Sequence, residues 1–367
     1  MTTPAQLRSA DDLEGCAVFT HRDNVQTVGE VMRAAHFRGR LAACWERLWA
    51  AVEAREHAEA EGAEVDLEAV QALSEEFRYQ RDLITTEETE AWLAARGLTG
   101  DDFNDHFVRQ YWCNLRGAGR PVQAPDLGAA SREAWRSLAA HVWLSDGLEG
   151  MARDLAHRLA VWGSARTSAP DEAALGIERK RFFDRTGLRP GELGAWLAAF
   201  ERDSEWFERM LTLEAVYLAE CERWLRPESR RQALETCRLS LVSLEVEVMD
   251  VESPDAAREA YLVVGQDGVP MAELARQARY PYRQAALLLE EVPPEGQERL
   301  LAAPVGGLLE PWDRGEGYQL CRVLSKREPS LEDDRIRARV DARILEGRLA
   351  GLESESIRWL LGPRARE

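Results

Sequence analysis

The chain has 367 residues, 45% of them hydrophobic and including 12 Trp, 9 Phe and 7 Tyr; that is core material for two or three domains and excludes large-scale disorder. Its 65 acidic residues outnumber 47 basic ones, for a formal net charge of −18. A surface of that sign repels phosphate backbones, which excludes nucleic acid as a partner and leaves basic or neutral polypeptide.

Residues 1–24 read as an N-terminal segment ending in FTHRDN, where His21 and Asp23 mark a polar turn before the first helix. A first helical module is expected over 25–115. Val28, Val31, Met32 and Ala35 share one stripe, and after a break at Gly39 so do Leu41, Trp45, Leu48, Trp49 and Val52. Thr86 and Thr99, each followed by acids within three residues, read as helix starts. The Gly/Pro-rich stretch 116–131 is a linker. A second helical module over 132–237 repeats the first. His36 answers to His141, Leu41 to Leu148, Phe77 to Phe182, Trp92 to Trp196 and Phe103 to Phe207, at offsets held between 104 and 107 residues. Unrelated amphipathic helices would drift more, so the pattern reads as a degenerate duplication. Within the second copy, 162–176 reads as a loop.

Near residue 238 the period changes from helical to alternating. CRLSLVSLEVEVMDVE predicts a strand with a bulge, followed by two short helices (SPDAAREAYLVV and MAELARQARY) and strands at AALLLEEV and GYQLCRVLSKR. Ser253 is the expected cap of the first of these helices, with Pro254 in its first turn. This is a small α+β domain, 238–328. The tail, 329–367, is one long helix opened by Ser330, with Ile336, Val340 and Ile344 on its apolar stripe. The fold class is therefore mainly α with one small α+β domain.

No stretch of about 18 apolar residues occurs, so no membrane span is expected. The opening MTTPAQLRSADDLEG carries no signal-peptide pattern. Six cysteines without a C-x-x-C pair (Cys16, Cys44, Cys113, Cys221, Cys237, Cys321) read as free buried thiols, and the expected location is the cytoplasm.

The layout resembles the SurA-type chaperone/parvulin family of peptidyl-prolyl isomerase-related proteins. The resemblance is greatest to a cytoplasmic, parvulin-related group of peptide-maturation proteins found with ribosomally made natural products. It rests on EFRYQRDLITTEETEAWLAARGLTGDDF (76–103) in the helical module. It rests also on Gly306, Pro311, Gly317 and Tyr318, which fall where parvulins show G-E-V-x-x-P and G-Y. The resemblance implies SurA-like helical modules, a parvulin-like domain and a returning C-terminal helix. It also exposes departures: no His lies in 238–250, Ala285-Ala286 stand for Gly-Gly, Gln319 stands for the last-strand His, and Leu300 or Leu301 stands for the proline-pocket Phe. A parvulin must lower an amide-rotation barrier of ~18–20 kcal/mol, and the polar members of that site are missing together.

The function expected is thus non-catalytic peptide binding, as a chaperone or precursor-recognition protein in a cytoplasmic peptide-maturation pathway. The alternatives are an active isomerase with a rebuilt site, or a scaffold subunit of a modifying enzyme or exporter. The client would be a peptide or precursor polypeptide, with a modifying enzyme as a further partner. Ten tryptophans lie in the duplicated half, and large apolar side chains line grooves that capture extended segments. The candidate peptide-binding residues are Trp92, Trp112, Trp143, Trp196 and Trp206 there, with Leu301, Trp312 and Gln319 in the small domain. No catalytic residue, metal or cofactor is expected. Asp101, Asp102, Asp105 and His106 read as a capped helix start, His36 and His141 as packed histidines, and Gly306-Gly307 as a turn.

Overall fold

The computed structural model describes residues 13–116, 124–125, 127–164, 170–315 and 317–361. In chain order the elements are β1 (Ala17–His21), β2 (Asn24–Thr27), α1 (Val28–Phe37), α2 (Ala42–Ala60), α3 (Leu67–Tyr79), α4 (Thr86–Ala94), α5 (Gly100–Arg116), α6 (Arg132–Leu144), α7 (Gly147–Ser164), α8 (Glu172–Thr186), α9 (Leu193–Ala199), α10 (Ser204–Trp224) and α11 (Pro227–Cys237). They continue with β3 (Ser243–Val251), α12 (Pro254–Gly265), α13 (Met271–Ala278), β4 (Tyr282–Leu288), α14 (Pro294–Ala302), β5 (Leu308–Asp313), β6 (Tyr318–Arg327), α15 (Asp334–Ser356) and β7 (Ile357–Trp359). The molecule is mainly helical, with two small antiparallel sheets. The chain divides into two compact units, one of residues 1–221 with 348–367 and one of residues 222–347.

In the helical unit the duplication is visible helix by helix: α1 to α5 are matched in order and spacing by α6 to α10. The two copies interleave. The first helix of each copy packs on the second helix of the other, α1 on α7 and α6 on α2. Phe37 of α1 accordingly stacks on Phe182 of α8, ring centroids 5.0 Å apart, and one apolar core runs through both copies. Local chemistry sets the helix ends. Thr85, not Thr86, caps α4 in a reciprocal box with Glu88, and Thr99 and Asp102 exchange bonds at the start of α5. Gly187 ends α8 at φ 68°, a left-handed turn that favours glycine.

Two expectations are corrected in this unit. FTHRDN is a β-hairpin, β1–β2, with Arg22 at φ 54° in its turn. The tail is not helix throughout: β7 pairs antiparallel with β1, Phe19 opposite Trp359, making a sheet in the order β2-β1-β7. Of the cysteines, Cys44, Cys221, Cys237 and Cys321 are buried, while Cys16 and Cys113 are only partly so; none of the six is in a disulfide. Of the predicted linker, 117–123 and 126 lie outside the described residues, as do 165–169 of the predicted loop.

The second unit is built on a four-stranded antiparallel sheet in the order β4-β3-β6-β5. β3 carries the expected irregularity, a register shift against β6 between Glu245 and Val246. The strand starts only at Ser243: Leu239 is exposed, and Leu241 turns into a cluster with Cys237, Leu288, Ile336 and Val340. α14 and β5 were not expected. One sheet face (Met249, Val251, Leu320) packs on α12 and α13; the other (Leu244, Val246, Val248, Cys321, Val323) packs on Leu289, Val292 and Leu300.

Candidate functional site

In the small domain, Asp250, Gln319 and Arg283 form a closed polar network. Asp250 and Gln319 are cross-strand partners on β3 and β6. Gln319 Nε2 donates to Asp250 Oδ1 at 2.7 Å, and Arg283 Nη1 donates to Asp250 Oδ2 at 2.5 Å. Burial pushes the Asp250 carboxyl up, but these bonds outweigh it and hold it below the usual carboxylate range. Gln319 is 8% exposed. Its register partner on β5 is Trp312, whose indole lies against Arg299 at 5.3 Å and whose buried Nε1 has no partner. Leu301 packs on the same apolar cluster as Trp312, and its carbonyl accepts from Lys326 Nζ at 2.6 Å. The fold thus brings Gln319, Trp312 and Asp250 together at one end of the sheet. One N–H of the carboxamide is already committed to Asp250.

The five helical tryptophans do not form one surface. Trp92 and Trp143 share Arg96, whose guanidinium carbon lies 4.0 Å and 5.4 Å from their rings. Trp196 and Trp206 are buried 6.4 Å apart in the second copy. Trp196 donates from Nε1 to His36 Nε2 at 3.0 Å and stacks on that ring, so its indole is a core element. Trp112 is buried beside Tyr111. Of the five, Trp206 also reaches a cavity wall.

That cavity, about 640 Å³, is lined by Val25 of β2, Leu155, Leu159 and Trp162 of α7, and Trp206, Met210 and Leu213 of α10. Val25 is 50% and Trp162 44% exposed, so apolar surface continues from the cavity to solvent. β2 is the outer strand of its sheet, with no strand on its far side among the described residues. A second cavity, about 480 Å³, is lined by Phe77, Phe107, Leu73, Arg47, Arg109, His106 and His141 among others. The imidazoles of His106 and His141 lie 5.5 Å apart, though 35 residues separate them in the chain. Burial first, then the neighbouring His141 and Arg109, brings His106 down to about 3; burial, then Arg109 and Arg47, brings His141 down to about 4, so both are neutral near pH 7. Their meeting was missed because α5 and α6 belong to different copies; the recurrence of His36 at His141 was the available signal. Among the described residues no group of three or more His, Cys, Asp or Glu is placed to hold a metal ion.

No family model and no curated protein matches the chain. Solved structures similar to it include a peptidylprolyl isomerase (PrsA) from Bacillus cereus, at 13% identity over 62% of this chain and 86% of that one, TM-score 0.37. PrsA from Bacillus anthracis is similar at 10% identity over 56% and 96%, TM-score 0.31. One chain of the pair of SurA-like chaperones PEB4 and Cj1289 of Campylobacter jejuni gives 12% identity over 61% of this chain and 88% of that one, TM-score 0.18.

Proposed function

We propose that the protein is a non-catalytic polypeptide-binding protein, a chaperone or precursor-recognition factor acting in the cytoplasm during maturation of a peptide. The observation that carries this reading is the open edge of β2 beside the 640 Å³ cavity. An extended segment adding to β2 gains main-chain hydrogen bonds, while an apolar side chain enters between Trp162, Leu159 and Trp206. The net charge of −18 favours basic clients. Loss of isomerase chemistry is supported by Gln319, which is bonded to Asp250 where the resemblance calls for a histidine.

The test is exchange NMR on a basic, proline-containing peptide with an amidated C-terminus, with and without the protein. Peptide signals broaden while the cis–trans exchange rate stays at its free value. Trp162→Ala and Val25→Lys, both at exposed positions, weaken the broadening. Accelerated exchange makes the protein an isomerase. An unperturbed peptide leaves the scaffold role.

A further inference from the structure

The 480 Å³ cavity of the helical unit has walls of two kinds. Leu73, Phe77 and Phe107 are apolar; Arg47, Arg109, His106 and His141 are not. His106 is 7% exposed, and its Nδ1, the Nε2 of His141 and the Nε of Arg109 are all buried without a hydrogen-bond partner. Nearby carboxylates are engaged elsewhere: Asp102 by Arg136, Asp105 by Arg55, and Asp146 by Arg81. Arg47 donates to the sulfur of Cys44, a weak acceptor. Three guanidinium groups, Arg47, Arg81 and Arg109, line this cavity against two carboxylates, Glu76 and Asp146, and Asp146 is paired with Arg81. Arg47 is exposed and Arg109 half-buried, so both guanidinium groups can turn to an incoming anion and make charge-assisted hydrogen bonds to it.

The second copy shows the same architecture with the anion built in. One position of the fifth helix, Gln110 in α5 and Glu214 in α10, is matched at the offset of 104 that relates the two helices. Glu214 is buried and accepts from Arg158 Nε at 2.6 Å and from Arg38 Nη1 at 3.4 Å. Gln110 lines the cavity and brings no charge.

We propose that this cavity binds the carboxylate of an apolar amino-acid residue. Arg47 and Arg109 take the carboxylate, a neutral imidazole adds an N–H bond, and the side chain lies against Phe77, Phe107 and Leu73. The volume is that of a small-molecule site. The ligand is either a free N-acylated amino acid or the C-terminal residue of a peptide, and it goes beyond the edge-strand reading because it requires a free carboxylate.

Isothermal titration of the full chain decides it, using N-acetyl-L-phenylalanine, its primary amide, and a pentapeptide ending in Phe as acid and as amide. Acids bind at least tenfold tighter than the matching amides. Arg109→Gln removes that preference. Gln110→Glu, which places a carboxylate on the wall and keeps side-chain size, abolishes acid binding with an unchanged melting temperature, so the proposal stays testable if Arg109→Gln fails to fold. Binding of both acids admits free carboxylates, and binding of the peptide acid alone assigns the site to peptide termini. Amides equal to acids, or no binding of any probe at millimolar concentration, overturns the proposal; a peptide amide that still binds leaves the edge-strand reading standing.

Discussion

Glu214→Gln removes one negative charge from a site where burial makes that charge hard to replace. The side chains of Glu214, Arg38 and Arg158 are 5%, 6% and 13% exposed. Burial, and then the adjacent Arg158 charge, brings Arg38 down to about 10. Burial pulls Arg158 down as well, but Glu214 at the shorter distance outweighs it and holds Arg158 above its ordinary value. With glutamine at 214, two buried guanidinium groups repel each other with one counter-charge fewer. Breaking a buried pair from one side costs about 3–5 kcal/mol. At ~2–4 °C per kcal/mol for a unit of this size, the melting temperature falls by ~6–20 °C. The assay is urea unfolding followed by tryptophan fluorescence, where the midpoint moves and the slope does not. Glu228→Gln on the exposed Arg231–Glu228 pair is the control and stays within ~0.5 kcal/mol of wild type. A loss below ~1 kcal/mol for Glu214→Gln refutes the claim that this cluster is a buried counter-charge set. Replacing Glu214, Arg38 and Arg158 together by Leu, Met and Met recovers most of the loss, because the desolvation cost leaves with the charges.

Stability falls on acidification from the ordinary imidazole value of 6.5 towards the folded values of about 3 and 4 for His106 and His141. In that interval the unfolded chain binds protons that the folded one refuses, so stability rises with pH. His106→Met, the residue found at the matching position 210, shrinks the drop between pH 7 and pH 4.5 in chemical denaturation; an unchanged drop refutes neutral burial of His106. Trp359→Ala removes the ring that meets Phe19 at 5.1 Å and the indole bond to Glu353, and costs about 3 kcal/mol by thermal unfolding. A loss under ~1 kcal/mol means β7 does not hold β1. Gln319→His leaves proline cis–trans exchange at the free-peptide rate in exchange NMR, since Asp250 and Arg283 still close the network; acceleration by the single change refutes that.

Period and spacing made much of the fold legible. The stripes of α1 and α2 follow from i, i+3, i+4 spacing, and the matched pairs Phe77/Phe182 and Phe103/Phe207 announced two related helical copies. Ser253 and Thr99 acted as caps because capping is a contact across three residues. α14 and β5 were illegible because Pro293, Pro294 and Pro311 read as breaks. Pro294 instead starts the helix, and Pro311 sits on an edge strand, which tolerates a missing N–H. β7 has three residues, too few for a period to register; its pairing with β1 makes it a strand.

By itself, then, the sequence determined the helical stripes of both copies, the strands β3 and β6, the duplication, the acidic composition and the absence of histidine from the small domain, since each is a property of composition or short-range spacing. Tertiary structure alone decided that the copies interleave, that Trp196 is spent on His36 while Trp162 stays at the surface, and that His106 and His141 meet beside Arg47 and Arg109. The physical reason is the same in each case. Amphipathic helices of nearly equal pattern can pack with their own copy or with the other, and only burial of the whole core distinguishes the two.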